Sequence, residues 1–303
     1  MTGGRRVAVI GLPFFARRTA QSLRSVGFDA RFIPQPGRSI DAWPRVVAEI
    51  MRADLVYAIG SGVSRFSPLH LISMARKPIV LHWVGSDVEV ALQVYRTGHA
   101  SNGLLDRAVH WADAPWLVDE LAELGVIAKE LLLPVPAAVG SPLPLPDDFR
   151  VLLYLPREFQ SAYRVEATME VVRQLPGIRF MVAGGFRPER AIPNLEVLGF
   201  VHDMPAVYAR STAFLRLTHH DGMSHSVIEA LSFGRHVLWN YPFRGVTRVE
   251  SAPEAIAALS DIADRHSRGT LPLNSDAASY VAARYNPDKM LSEVRDGLEA
   301  LLP

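Results

Sequence analysis

Residues 215–237 read LRLTHHDGMSHSVIEALSFGRHV, and the change of rhythm inside this stretch decides the fold. An apolar, β-rich run over 212–218 ends in a short polar loop that holds Gly222, Ser224 and Ser226. Val227, Ile228, Ala230 and Leu231 then recur at helical spacing and stop near Gly234. A second apolar run begins at His236 and continues to Trp239. Strand, glycine- and serine-bearing loop, then helix is a geometry with a use. The first N–H groups of a helix have no intrahelical partner, and the positive end of the helix dipole stands behind them. Such a helix start suits an anion. Two carboxylates bracket the loop, Asp221 within it and Glu229 eight positions later inside the helix. The plain alternative is an ordinary α/β turn with Glu229 on a solvated surface.

Outward from this stretch the chain alternates strand and helix. Before it come strands at 5–12, 29–33, 55–59, 78–84 and 108–112, separated by helical runs at 15–26, 40–52, 68–75, 88–95, 104–107 and 115–124. Several strands end in glycine: Gly11, Gly60-Ser61-Gly62 and Gly85-Ser86-Asp87. Residues 133–148 then carry Pro134, Pro136, Pro142, Pro144 and Pro146, a density no regular element tolerates. Beyond it the alternation resumes, with strands at 151–155, 178–183, 194–200, 213–217 and 237–239 and helices at 165–175 and 204–211. Helical runs at 253–265, 276–284 and 287–302 close the chain. The fold class expected is α/β: two doubly wound, Rossmann-like parallel sheets. The domains expected are residues 1–133, a semi-rigid Pro-rich linker at 134–149, residues 150–285, and a C-terminal helix at 286–303.

Composition narrows the classes. The 303 residues are 49% hydrophobic, enough for two substantial cores, and the net charge of +1 does not fit a dedicated nucleic-acid binder. Charge is uneven: residues 1–52 hold nine Arg against three acids, a local balance of +6. That face suits an anionic acceptor or a membrane surface, unless the arginines simply sit singly on solvated helix faces. The absence of Cys removes disulfides and thiolate metal sites. The apolar run at the N-terminus is short and broken by Pro13, so it reads as a strand rather than a signal peptide. No apolar stretch approaches the roughly 20 residues a membrane helix needs, so the expected location is cytoplasmic, with peripheral membrane contact open. The first turn, GLPFFA at 11–16, lacks the glycines of G-x-G-x-x-G, which argues against a bound dinucleotide.

Stretch 215–237 resembles the signature of retaining GT-B glycosyltransferases of the large group 1 (GT4-like) family, an acid, a Gly-rich loop, and Glu eight positions after the acid. Asp221 stands where that family usually has Glu. His82-Trp83-Val84-Gly85-Ser86-Asp87 is similar to the His…Gly-Ser/Thr-Asp run that ends a central strand of the family's N-terminal lobe. WADAPWLVDELAELGV at 111–126 looks like its last N-lobe strand and helix, and LEVLGFVHDMPAVYARSTAFLRL at 195–217 like its base-contacting segment. The resemblance spans roughly residues 5–300 and is strongest over 150–239.

The resemblance implies a two-lobe fold with an interdomain cleft, the 286–303 helix crossing back to the first lobe, and transfer of a sugar from a UDP- or GDP-sugar to a glycan, glycolipid or small-molecule hydroxyl. It implies no separate cofactor. Asp221 would meet the donor sugar, Glu229 the ribose, and Gly222, Met223, Ser224, His225 and Ser226 the diphosphate. Gly184, Gly199, Phe200 and Val201 would line the nucleotide. Gly11 and Asp87 would face the acceptor, with His82 as a further catalytic candidate. The family's Arg and Lys after the first C-lobe strand are half present. LPREFQSAYRVE at 155–166 has no Lys, leaving Arg157 and, as a substitute, Arg164. Two other readings use the same pocket: a non-catalytic nucleotide- or glycan-binding module and a nucleotide-sugar epimerase. A zinc site from His219, His220, Asp221 and His225 matches no standard spacing, so no metal is expected.

Overall fold

The computed structural model describes residues 4–34, 43–74, 76–135, 137, 139–158 and 160–302. The chain divides into two compact units. One comprises Met1–Pro136, His220–Met223 and Asn286–Pro303, the other Ala137–His219 and Ser224–Tyr285.

In the first unit the order is β1 (Arg6–Gly11), α1 (Pro13–Ser25), β2 (Asp29–Phe32), α2 (Trp43–Arg52), β3 (Leu55–Ile59), α3 (Pro68–Met74), β4 (Ile79–Trp83), α4 (Ser86–Arg96), α5 (Asn102–Arg107), β5 (Val109–Ala112), α6 (Pro115–Leu121) and β6 (Ala128–Glu130). The six strands pair in parallel in the order β2-β1-β3-β4-β5-β6. Strands covered on both faces read as unbroken apolar runs. LVYAI in β3 and IVLHW in β4 are buried at every position.

The second unit has the order β7 (Arg150–Tyr154), α7 (Val165–Gln174), β8 (Arg179–Ala183), β9 (Leu195–Gly199), α8 (Met204–Ala209), β10 (Ala213–Arg216), α9 (His225–Ser232), β11 (His236–Trp239), β12 (Val246–Arg248), α10 (Ala252–Ser267) and α11 (Ser275–Arg284). Its sheet is also parallel, ordered β12-β11-β10-β7-β8-β9. Val151, Leu153, Phe180, Val182, Leu215 and Leu238 meet Met169 and Val172 of α7 and Ala255 and Leu259 of α10 in its core.

The last helix, α12 (Pro287–Glu299), belongs to the first unit. Asn286 caps it through Lys289 N–H, and Val294 and Leu298 enter the core beside Val7, Leu55 and Trp111. Gly297 lies so close to Trp111 that a Cβ there would fall 2.8 Å from the indole.

The Pro-rich segment was expected to be a semi-rigid linker; Val135 lies in the core of the first unit, and from Ala137 on the segment belongs to the second unit, where several bonds fasten it. Gly140 N–H donates to Ser232 Oγ at 2.9 Å and Leu143 N–H to Phe233 O at 3.2 Å. Arg235, fully buried, donates from Nε to Phe233 O at 2.8 Å and from its two terminal nitrogens to the carbonyls of Leu143, Pro144 and Ser211. Burial lowers its pKa to about 10, so it stays charged at neutral pH. Residues 40–42 of the helix expected at 40–52 lie outside the described residues. No helix among the described residues is long and apolar enough to cross a membrane.

Candidate functional site

In the second unit the strand order reverses between β7 and β10, and α/β sheets bind ligands beyond the carboxyl ends of such a pair. Those ends are Tyr154 and Arg216. Helix α9 starts after β10 with Ser224 as its N-cap. The Ser224 hydroxyl does not cap the helix; it lies 3.0 Å from Ser226 Oγ. The first-turn amides are therefore not covered by their own N-cap side chain.

Val227, Ile228, Ala230 and Leu231 of α9 are buried, which sets Glu229 on the half-buried face. The buried Tyr208 of α8 donates its hydroxyl hydrogen to Glu229 Oε2 at 2.9 Å. Burial first, and the Glu229 charge second, push the Tyr208 phenol well up, so it remains a protonated donor. One carboxylate oxygen of Glu229 is thus held from behind. Beside this pair Arg216 is only 8% exposed, with its guanidinium 5.0 Å over the Tyr163 ring. Tyr154 and Tyr163 have ring centroids 6.2 Å apart. Burial, then Tyr163, raise the Tyr154 phenol; Arg216 pulls it down and Glu229 pushes it up, so both charges act at that ring.

The loop after β7 carries the two arginines expected to meet phosphate. Arg157 is exposed. Arg164 takes a left-handed backbone (φ 43°) at the start of α7, and its Nη1 donates to Glu250 O at 2.8 Å. Gly184 is required by packing: its φ is +103° and a Cβ would sit 2.6 Å from Leu155 O. Gly199 ends β9 at φ 69°, Phe200 is 76% exposed and Val201 is half-buried.

The rest of the predicted loop groups with the first unit. Trp116 Nε1–H donates to Asp221 O at 2.8 Å, and His220 Nε2–H to Glu120 Oε2 at 2.7 Å. Gly222 packs on the end of β4, where a Cβ would fall 2.2 Å from Val84 O. Met223 N–H donates to the buried Asp113 Oδ1 at 3.2 Å. This corrects the expectation that Met223 offers its amide to a diphosphate.

His82 is 1% exposed, Tyr57 OH donates to its Nδ1 at 2.6 Å, and its Nε2–H donates to Leu131 O at 2.9 Å. Burial lowers its pKa to about 3, against the Leu131 bond. With both nitrogens used, it is a neutral core histidine in this structure. Gly11 has φ +109° and a Cβ would lie 1.8 Å from Ile59 O, so it serves the close approach of β1 and β3. Asp87 accepts from Val84 N–H at 3.0 Å.

Asp87, Asp113 and Asp221 form an acidic group around Gly222. Burial raises Asp113 well above the carboxylate range; Met223 N–H opposes this, and the charges of Asp87 and Asp221 add to it. Burial pushes Asp87 up to about 7, against the amides of Val84, Asp87 and Gly85 and the charge of His220. Burial would lower His220, but its bond to Glu120 and the charges of Glu120, Glu89 and Asp221 leave it raised. The pH consequence has one sign. An acid whose folded pKa is raised from 3.8 to about 7 is protonated when folded but ionised when unfolded inside that window. Its contribution to stability is lost as pH rises from 4 to 7. His220, raised from 6.5, likewise stabilises below that value and loses its contribution as pH rises through the folded pKa. Asp87→Asn is expected to match wild type in thermal unfolding near pH 4 and to exceed it at pH 8. A difference that does not grow with pH would remove the buried-acid account.

Sequence reading missed Arg216, Tyr208 and Asp113. Only Arg216 left a local trace, as the one charge inside the apolar run AFLRL. Among the described residues no group of three or more His, Cys, Asp or Glu is placed to hold a metal.

No protein-family model matches the chain, and no curated protein matches it in sequence. Solved structures do match in shape. Anabaena Alr3699/HepE in complex with UDP and glucose is 13% identical, with 98% of this chain and 100% of that one covered at a TM-score of 0.71. Sucrose-phosphate synthase (tll1590) from Thermosynechococcus elongatus is 12% identical, with 98% and 99% covered at 0.72. The glycotransferase of kitacinnamycin is 14% identical, with 99% and 100% covered at 0.59. These likenesses show the fold: an α/β chain of two parallel six-stranded sheets, as in GT-B glycosyltransferases.

Proposed function

We propose that the chain is a glycosyltransferase that takes a sugar from a nucleoside-diphosphate sugar and passes it to an acceptor hydroxyl with retention at the anomeric carbon. The observation that carries this reading is the start of α9 just past β10, where the sheet order reverses, with Glu229 one turn in and held by Tyr208. The donor is a UDP- or GDP-sugar; proteins of the same fold solved with UDP and with UDP-glucose support the uridine nucleotide.

In this reading the amides of Ser224, His225 and Ser226 and the α9 dipole hold the diphosphate. The dipole supplies about 1–2 kcal/mol when partly buried, so several amides and a fixed cation must add to it. Glu229 accepts from the ribose hydroxyls. Gly184, Gly199, Phe200 and Val201 border the nucleotide, and Phe200 offers an exposed ring for the base. Asp221 faces the donor sugar, and Asp87 and the Gly11 turn the acceptor, a glycan or glycolipid. The interdomain cleft, the group 1 affiliation, the site of work in the cytoplasm and a peripheral membrane contact through the Arg-rich stretch belong to the proposal.

A thermal-shift series with UDP, GDP, ADP, dTDP and their sugars tests it. One nucleotide at about 100 times its Kd adds roughly 2.7 kcal/mol of stability, and its sugar form is turned over. No shift with any of them would sink the reading. Uptake without turnover points to the second reading, a nucleotide-binding module, which the engaged Met223 amide and the missing Lys favour.

A further inference from the structure

We propose that Arg216 supplies the fixed positive charge for the nucleotide diphosphate that the loop after β7 lacks. This rests on the glycosyltransferase reading above. Four observations carry it.

The first is position. Arg216 is the last residue of β10, and the register that pairs Leu215 with Leu153 brings Arg216 beside Tyr154 at the end of β7. That is the point where the strand order turns around and where such sheets take ligands. The second is burial. A guanidinium costs much to remove from water, yet Arg216 is 8% exposed, with its Cζ 5.0 Å over the Tyr163 ring. A cation kept under cover at a ligand-binding edge is a functional candidate, and its planar fork matches two phosphate oxygens. The third is its company. Arg216 and Glu229 both act on the phenols of Tyr154 and Tyr208, so the cation stands close to the carboxylate assigned to the ribose. Ribose and diphosphate are joined in one molecule, so a cation near the ribose carboxylate suits the diphosphate. The fourth is the shortage elsewhere. The 155–166 loop has no Lys, Arg157 is exposed, and Arg164 is directed to the Glu250 carbonyl.

Tyr163 completes the device. Its ring lies 5.0 Å under the guanidinium, a cation–π contact in which a planar fork stacks and a lysine ammonium does not.

The test is a calorimetric titration of the full chain with UDP, UMP and uridine, comparing wild type, Arg216→Gln and Arg216→Lys, each checked for folding by thermal unfolding. Arg216→Gln is expected to weaken UDP about 50-fold and UMP less, and to leave uridine within about twofold. Arg216→Lys is expected to lie between, because the charge remains and the fork does not. Unchanged UDP affinity in Arg216→Gln overturns the assignment. So does an equal loss on UDP and uridine, which would mean that Arg216 acts only through Glu229. If Arg216→Gln does not fold, Arg216→Lys decides. UDP weakened with uridine unchanged supports the assignment, and any other pattern overturns it. If wild type binds none of the nucleotides, the glycosyltransferase reading fails, which is a distinct result.

Discussion

Glu229→Ala is expected to fold as wild type does and to lose donor binding by about 10- to 100-fold, the worth of charge-assisted hydrogen bonds to two ribose hydroxyls. Glu229 is half-buried on α9, while the apolar contacts that hold the helix come from Val227, Ile228, Ala230 and Leu231. The effect should therefore fall on function and not on stability. The companion variant Tyr208→Phe removes the hydroxyl that grips Glu229 Oε2 at 2.9 Å and keeps the carboxylate. It should cost about 5-fold in donor affinity, because the carboxylate keeps its charge and loses its fixed direction. Nucleotide titration and transfer assays read both effects. Wild-type affinity and turnover in Glu229→Ala would take this residue out of the site.

Arg235→Ala is expected to be the most destabilising single change. Four main-chain carbonyls, those of Leu143, Pro144, Ser211 and Phe233, take their hydrogen bonds from this one buried guanidinium. Truncation strands these acceptors and leaves a cavity, a loss of about 3–5 kcal/mol in denaturant unfolding. Arg235→Met tests the two parts separately, since it fills most of the volume and restores no donor. It should recover only a fraction. A midpoint for Arg235→Ala within experimental error of wild type would show that the Pro-rich segment is held by other means.

Much of the fold was legible because its information is local. Strands such as LVYAI and IVLHW are almost wholly apolar and buried at every position, as parallel strands covered on both faces must be, and the helices between strands carry stop signals such as Gly27 and Gly125. The three-residue edge strands Ala128–Glu130 and Val246–Arg248 were missed, since AKE and VTR are too short and polar for any period to register. At the site, Glu229 stood out because its spacing from Asp221 lies within one continuous stretch. Tyr208, Asp113 and Arg235 did not, because each gains its meaning from a partner far along the chain. The Asp113 bond to Met223 spans 110 positions, and the Arg235 bond to Pro144 spans 91. The same reason hides how 134–149 is held. Proline density excludes helix and strand, but it does not say whether the segment hangs free or is clasped. His82 was ambiguous for a related cause, since a histidine that ends a strand looks alike in sequence whether it opens to substrate or is locked between Tyr57 and Leu131.

The placement of α12 bears on how the protein is made. Val294 and Leu298 complete a core whose other members include Val7, Val9 and Leu55. In chain order α12 follows the whole second unit, so the first unit's core is completed only after the second unit's residues have been made. A cut after residue 285 would strip Val294 and Leu298 from the first unit and leave the residues of the second intact.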